Sequence, residues 1–266
     1  MKSSLESQAP ILADKLAQFP EVEAVVLAGS LAAGTQDSGS DIDLYVYASP
    51  TPPVDRRLAF AQDVASSWEV DNRYWETEDL LVLKSGMKAE IIWRDFSFIQ
   101  DQMERTLDRC EAWVGYTTCF WANLLRSRPL FDRTGRYTAL QKSSDRAYPA
   151  ALIQNIIKKN LPLLADSLSS YAKQTAQAES RQDKVTINHR VAAYLASWFD
   201  ILFAVNRLPH PGEKKQVKIL QNQGSIFPKN WEKDVVDLLS TNSTRSASQV
   251  MGEMDLSLRV CIEKIG

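Results

Sequence analysis

VVLAGSLAAGTQDSGSDIDLYV, from Val25 to Val46, divides into an apolar strand, a tight Gly29-Ser30 turn, a short helical turn, a polar loop and a second strand that carries Asp41 and Asp43. Side chains alternate along a strand, so two carboxylates one residue apart point to the same face. Like charges held side by side are costly unless a cation lies between them, and this pair therefore asks for a divalent metal. Gly29 lets the backbone turn sharply, and Ser30 adds a hydroxyl where free N–H groups at a helix start would face an anion. Phosphate and metal then share one site. Asp37, in the loop before Asp41, reads as a solvated turn residue, because Asp-Ser-Gly is ordinary turn chemistry.

Upstream, Leu5, Ile11, Leu12 and Leu16 form a helical stripe that stops near Phe19-Pro20. Glu23 to Gly29 is a short, nearly all-apolar strand of the kind covered on both faces. Downstream, Ser40 to Tyr47 alternates as its partner, and the Pro-rich Ser49 to Pro53 ends that strand. A helix is expected to follow as far as about Trp68, then a weak strand at Tyr74-Trp75 and firmer ones at Leu80 to Leu83 and Ala89 to Trp93, the last two divided by Ser85-Gly86.

Metal sites that hold phosphate oxygens rarely rest on two carboxylates alone. Glu90, between Ala89 and Ile91 on a strand expected beside the Asp strand, is the candidate third acid, as a metal ligand or as the acceptor of a proton from an attacking hydroxyl. Asp95 is the runner-up. Two cations about 3.5 to 4 Å apart can stabilise the entering and leaving oxygens of a phosphoryl-type transfer.

Beyond Asp95 the pattern becomes helical, with Pro129 to Gly135 read as a turn-rich crossing between helices. The boundary falls between Ser97 and Gly115, giving domains 1–110 and 111–266. The 266 residues balance 31 Lys and Arg against 33 Asp and Glu, a net charge of -2 that argues against a general nucleic-acid surface. No apolar run approaches membrane-spanning length, so no membrane partner is expected. Cys110, Cys119 and Cys261 have no metal-ligand spacing, which suits a reduced cytoplasmic setting.

Gly29-Ser30, Gly34 and Ser40-Asp41-Ile42-Asp43-Leu44 together resemble the signature of the DNA polymerase β-like nucleotidyltransferase superfamily, Gly-Ser followed at about ten residues by Asp-x-Asp with a third acid on a later strand. The large helical sequel resembles the small-molecule branch, which includes the aminoglycoside and lincosamide nucleotidyltransferases. The resemblance implies an α+β fold, with an N-terminal nucleotidyltransferase-type mixed β-sheet flanked by helices and a C-terminal helical-bundle domain that binds the acceptor. It also implies transfer of a nucleoside monophosphate from a nucleoside triphosphate to the hydroxyl of a small acceptor, for instance an antibiotic, with two Mg²⁺ ions and release of pyrophosphate. Carried over by position, Gly29, Ser30 and Ser40 contact the nucleotide, while Asp41, Asp43 and Glu90 bind metal, although the family more often has Asp at the last position. The segment Phe203 to Lys215 resembles one in which an Asn before a turn and a Lys after it lie near the nucleotide, which implies Asn206 and Lys214, with Lys215 as the alternative; a helix C-cap followed by a basic helix start is the structural reading of the same residues.

Two other functions fit the same motif. One is a nucleotide-binding sensor without turnover, and the other is transfer of AMP to a protein side chain. His189 and His210 have no partner spacing, and His189 is expected to be a satisfied structural residue of its helix. Asp132 reads as a turn former or as an acceptor-binding acid, and Trp113, Trp121 and Trp198 as mostly core.

Overall fold

Alternation on β2 (Ile42–Ala48), beside the nearly all-buried β1 (Val22–Leu27), decides which side of the sheet is filled. The computed structural model describes residues 5–32, 34, 41–240 and 243–265. α1 (Leu5–Leu16) precedes β1, and a single helical turn, α2 (Gly29–Ala32), follows it. Ile42, Leu44 and Val46 lie at 0% exposure in a core with Leu12 and Leu16 of α1. Burying each such aliphatic side chain stabilises the fold by about 1.5 to 3 kcal/mol. Asp43, Tyr45 and Tyr47, the intervening residues, consequently face the other way.

α3 (Val54–Val64) is followed by β3 (Ala65–Asn72), β4 (Thr77–Leu83) and β5 (Lys88–Arg94). The helix expected to reach Trp68 therefore ends four residues earlier: Trp68 is a strand residue opposite Leu81, and Tyr74-Trp75 lies in the β3–β4 connection. Backbone pairing with β4 overrides a stretch whose local pattern permits either form. The sheet order is β3-β4-β5-β2-β1-β6, with every pair antiparallel except β2 and β5. That parallel pair is closed by the crossover through α3, β3 and β4.

α4 (Phe96–Met103) continues into a π-helical turn, Glu104–Asp108. α5 (Cys119–Arg126) leads to β6 (Arg128–Asp132) and α6 (Arg136–Ser144). Pro129 to Gly135 is thus not only a crossing, because its first residues pair with β1 and finish the sheet; Pro129 is tolerated on an edge strand. The chain forms two units. The first is Met1–Met103 with Asn123–Arg146, and the second is Glu104–Ala122 with Ala147–Gly266. Residues 123–146 lie in the first although they follow the 110/111 division expected from the sequence.

The second unit is helical: α7 (Ala150–Leu161), a π-helical turn at Pro162–Asp166, α8 (Tyr171–Ser180), α9 (Lys184–Val205), α10 (Gln216–Gln223), α11 (Trp231–Leu239) and α12 (Ala247–Glu263). The final turns of α9, Ser197 to Val205, are buried all round, as expected for a helix apolar on every face. Trp121 and Trp198 are core residues and Trp113 is 39% exposed. His189 is exposed on α9, ahead of the buried stretch.

Asp200 interrupts that apolar stretch and must find partners. Its carboxylate accepts from the Thr117 N–H (3.0 Å), the Thr117 hydroxyl (2.7 Å) and the Asn160 amide (3.3 Å). Burial nevertheless pushes its pKa up to about 7. A folded-state pKa above the unfolded value means that the native chain keeps a proton the unfolded chain releases. The stability due to Asp200 is thus full below about pH 4 and lost as pH rises to about 7, an amount on the order of 4 kcal/mol. Urea midpoints at pH 5 and pH 8 should fall with pH in the wild type, and less steeply in Asp200→Asn.

Candidate active site

The register of β2 with β5 places Asp43 directly opposite Glu90. Opposed residues share a face of the sheet, so these two acids stand side by side on the face away from the α1 core. Leu80 of β4 is opposite Glu90, and Glu69 of β3 is opposite Leu80, which continues the same row across four strands. A cavity of about 420 Å³ opens over this half of the sheet, lined by Asp41, Glu90, Glu69, Trp68, Leu80 and Lys88 among others. Asp41, one residue before β2, and Glu90 thus share one wall.

Gly29 closes the other side. Its φ is +61°, and a Cβ at that position would lie 1.6 Å from Oδ2 of Asp43 and 2.6 Å from its Cγ. Only a residue without a side chain lets the turn pass this close to the carboxylate. The Ala28 N–H donates to the Asp43 carbonyl at 2.9 Å, which fixes the turn against β2. Ser30 follows, half-buried, in the single turn of α2. Ser40 and Asp37 lie outside the described residues.

Further along the same face, Tyr45 accepts a 2.9 Å hydrogen bond from the Asn123 amide, and Arg94 lies 4.2 Å over the Tyr45 ring. Burial raises the phenol pKa, opposed by Arg94, and the Asp43 charge adds to the rise. A phenol so held is a neutral hydrogen-bonding group at every physiological pH.

The remaining candidates are Asp95 and Asp132 of the first unit and Asn206, Lys214 and His210 of the second. Asp95 is exposed past the far end of β5, five residues from Glu90 or about 16 Å of extended strand. It accepts from the Ser97 hydroxyl and N–H at the start of α4, and these bonds hold its carboxyl below the usual range. Asp132 accepts from Thr138 N–H and Oγ1, both at 2.8 Å, and so caps α6. Asn206, in the second unit, caps α9: its amide donates to the Leu202 and Ile226 carbonyls and its oxygen accepts from Ser225 and Ile226 N–H groups. Lys214 and Lys215 are exposed just before α10, and His210 is buried with Nδ1 accepting from the Gly212 N–H. Glu69 and Trp68 were missed by the sequence reading; the alternation of Trp68 and Val70 with polar neighbours is the signal that could have placed them on a strand.

Among the described residues, no three His, Cys, Asp or Glu side chains gather closely enough to hold a cation unaided. Two facing carboxylates remain a suitable donor set for Mg²⁺, which usually takes one or two carboxylates and completes its shell with phosphate oxygens and water. No helix among the described residues is long and apolar enough to cross a membrane.

Residues 11–94 match the family described as Polymerase beta, Nucleotidyltransferase. No curated protein is a significant sequence match to the chain. Similar solved structures include a nucleotidyltransferase-like protein from Exiguobacterium sibiricum 255-15 (12% identity, 97% of this chain and 74% of that one, TM-score 0.39). An aminoglycoside 6-adenyltransferase from Bacillus subtilis is similar at 10% identity over 99% and 92% of the two chains, with a TM-score of 0.31. A Thermotoga maritima CCA-adding enzyme complexed with tRNA is similar at 11% identity over 97% and 82%, with a TM-score of 0.30. The match over 11–94 takes in the Gly29 turn, the Asp41–Asp43 strand and Glu90. Residues 11–94 are thus a nucleotidyltransferase domain of the polymerase β family.

Proposed function

We propose that this enzyme moves a nucleoside monophosphate from a nucleoside triphosphate to a hydroxyl of a small-molecule acceptor. The observation that supports this reading most is the facing pair Asp43 and Glu90 with Gly29 packed on the Asp43 carboxylate. Asp41, Asp43 and Glu90 would hold Mg²⁺, which, when bound, neutralises charge on the phosphates. Gly29 and Ser30 turn their N–H groups and hydroxyl toward the phosphate chain. Glu90 takes the proton of the acceptor hydroxyl. The acceptor oxygen forms a bond to the α-phosphorus, the bond from that phosphorus to the bridging oxygen breaks, and pyrophosphate leaves. The acceptor occupies the cavity walled by Trp68 and Leu80, whose apolar side chains would seat its body while the acids face the reacting hydroxyl.

The test is transfer of label from α-labelled ATP or GTP, with Mg²⁺, to a panel of hydroxylated small molecules. Glu90→Gln, which keeps the side chain's size, should lower kcat about 100-fold. Full transfer by Glu90→Gln would remove Glu90 from the chemistry. Nucleotide binding without pyrophosphate release with any acceptor would favour a sensor, and label on protein in place of small molecules would favour AMP transfer to a side chain.

A further inference from the structure

The last residue of α5 is an arginine with no obvious task. Asn123 to Arg126 belong to the first unit, and Asn123 is anchored to Tyr45, the next residue after Asp43 on the same face of β2. Asn123 and Arg126, three apart, lie on one side of the helix. The direction of that turn follows from β6. Its first residue, Arg128, is opposite Leu27, the final residue of β1, and its last, Asp132, is opposite Ala24. Leu27 is in turn opposite Leu44. The chain therefore leaves α5 at the end of the sheet where β1 runs into Gly29 and β2 begins. Arg126 is one helical turn beyond Asn123, on the part of the chain that leads to that end of the sheet.

Arg57, Arg94, Arg245 and Arg259 are each paired with a carboxylate. Arg126 is half-buried, yet among the described residues no ion pair involves it. Burial alone lowers its pKa, and no acid among the described residues offsets the effect. A helix-end role is already filled: the Leu124 and Ser127 carbonyls accept from the Gln141 amide, and Leu124 also accepts from the Ser127 hydroxyl. A guanidinium cannot shed its charge, so one left without an anion is stabilised when an anion arrives.

We propose that Arg126 is an anion-binding residue of this site that holds the phosphate chain of the nucleotide and distinguishes a triphosphate from a monophosphate. The inference rests on the nucleotidyltransferase reading above. The planar fork of Arg126 would grip two oxygens of the β- or γ-phosphate, and the same grip serves the pyrophosphate that leaves. Asp43 and Glu90, on the same sheet face, carry the opposite charge needed on the metal side of that chain. A nucleoside monophosphate reaches only the acidic half and gains nothing from the arginine.

Equilibrium binding of ATP, GTP, AMP, GMP and pyrophosphate, each with Mg²⁺, to the full chain tests this. Arg126→Gln should weaken triphosphate and pyrophosphate binding about 10- to 100-fold while monophosphate binding changes less than about twofold. Arg126→Lys, which keeps the charge without the fork, should recover part of the loss. The melting temperature of ligand-free Arg126→Gln should equal or exceed that of the wild type, because an uncompensated half-buried charge has been removed; a structural arginine would show the reverse. Equal triphosphate affinity in wild type and Arg126→Gln would overturn the role of Arg126 and leave the enzyme reading intact. A wild-type chain that binds neither ATP nor GTP would overturn both.

Discussion

Asp43→Asn should lower nucleotide transfer by at least about 1000-fold while raising the melting temperature of the ligand-free protein. Asparagine has the shape of aspartate and keeps the packing against Gly29, so the fold is retained. What changes is charge: the facing Asp43 and Glu90 no longer repel each other, which relieves the folded state. The same removal takes away a preorganised anionic group where the phosphate-bound cation would sit, and groups of that kind carry the largest electrostatic share of catalysis. Activity and stability thus move in opposite directions, the expected mark of a site built on strain. Gly29→Ala should reproduce the activity loss from the neighbouring position. Its Cβ, 1.6 Å from Oδ2, forces the Asp43 carboxylate out of place by more than an ångström, which costs about 100-fold, and its positive φ adds about 1 to 2 kcal/mol of backbone strain. Gly34→Ala is the control, with φ +64° but nothing among the described residues within 4 Å of the added Cβ: it should share the strain and spare the chemistry. Kinetics and thermal melts on the three variants check both halves of the argument, and an active Asp43→Asn would end it.

Arg57→Ala is expected to have the largest effect on stability, about 3 to 5 kcal/mol. Arg57 is 1% exposed on α3, and its guanidinium reaches Asp79 of β4 at 2.8 Å and Asp71 of β3 at 2.7 Å. Asp79, also 1% exposed, receives further bonds from the Trp93 indole (2.7 Å) and the Asp71 N–H (2.9 Å). Burial raises the Asp79 pKa despite these partners. Removing the arginine leaves a carboxylate buried with two neutral donors, so the loss exceeds the worth of the pair itself. Arg57→Met with Asp79→Asn should recover much of the stability, because no unpaired charge is then buried. Urea denaturation of the single and double variants reads the difference, and equal midpoints for the two would contradict it. Asp79 is next to Leu80, which is opposite Glu90, so the single variant should also lose activity by loosening β4 against β5.

Local chemistry made one half of this site legible. The Gly29 turn, the alternation of Asp41 and Asp43 with Ile42 and Leu44, and the Ser85-Gly86 turn between β4 and β5 are all written within a few residues, and the strands appear where they were expected. Alternation also marked Glu90 as a residue of the polar face. Its pairing with Asp43 depends on the parallel register of two strands separated by a helix and a hairpin, which no short stretch encodes. β3 was hidden because Ala65–Asn72 continues α3 without a breaking residue and carries few apolar side chains. β6 was hidden because five residues containing a proline find their partner about a hundred positions back. Arg126 carries no signal at all in isolation, since an arginine at a helix end is commonplace and its place one turn beyond Asn123 gains meaning only from the fold.

The late return of the chain to the sheet bears on how this protein is made. A ribosome that has released residues 1–110 has delivered every acid of the candidate site, but not the strand that covers the outer edge of β1. Until Arg128–Asp132 emerges, a row of backbone donors and acceptors beside Val22–Leu27, all but one of them buried in the finished fold, stays open to any passing strand. Expression of a fragment cut at 110 should therefore yield aggregates. One extended through residue 146 has the segments it needs to close its own sheet.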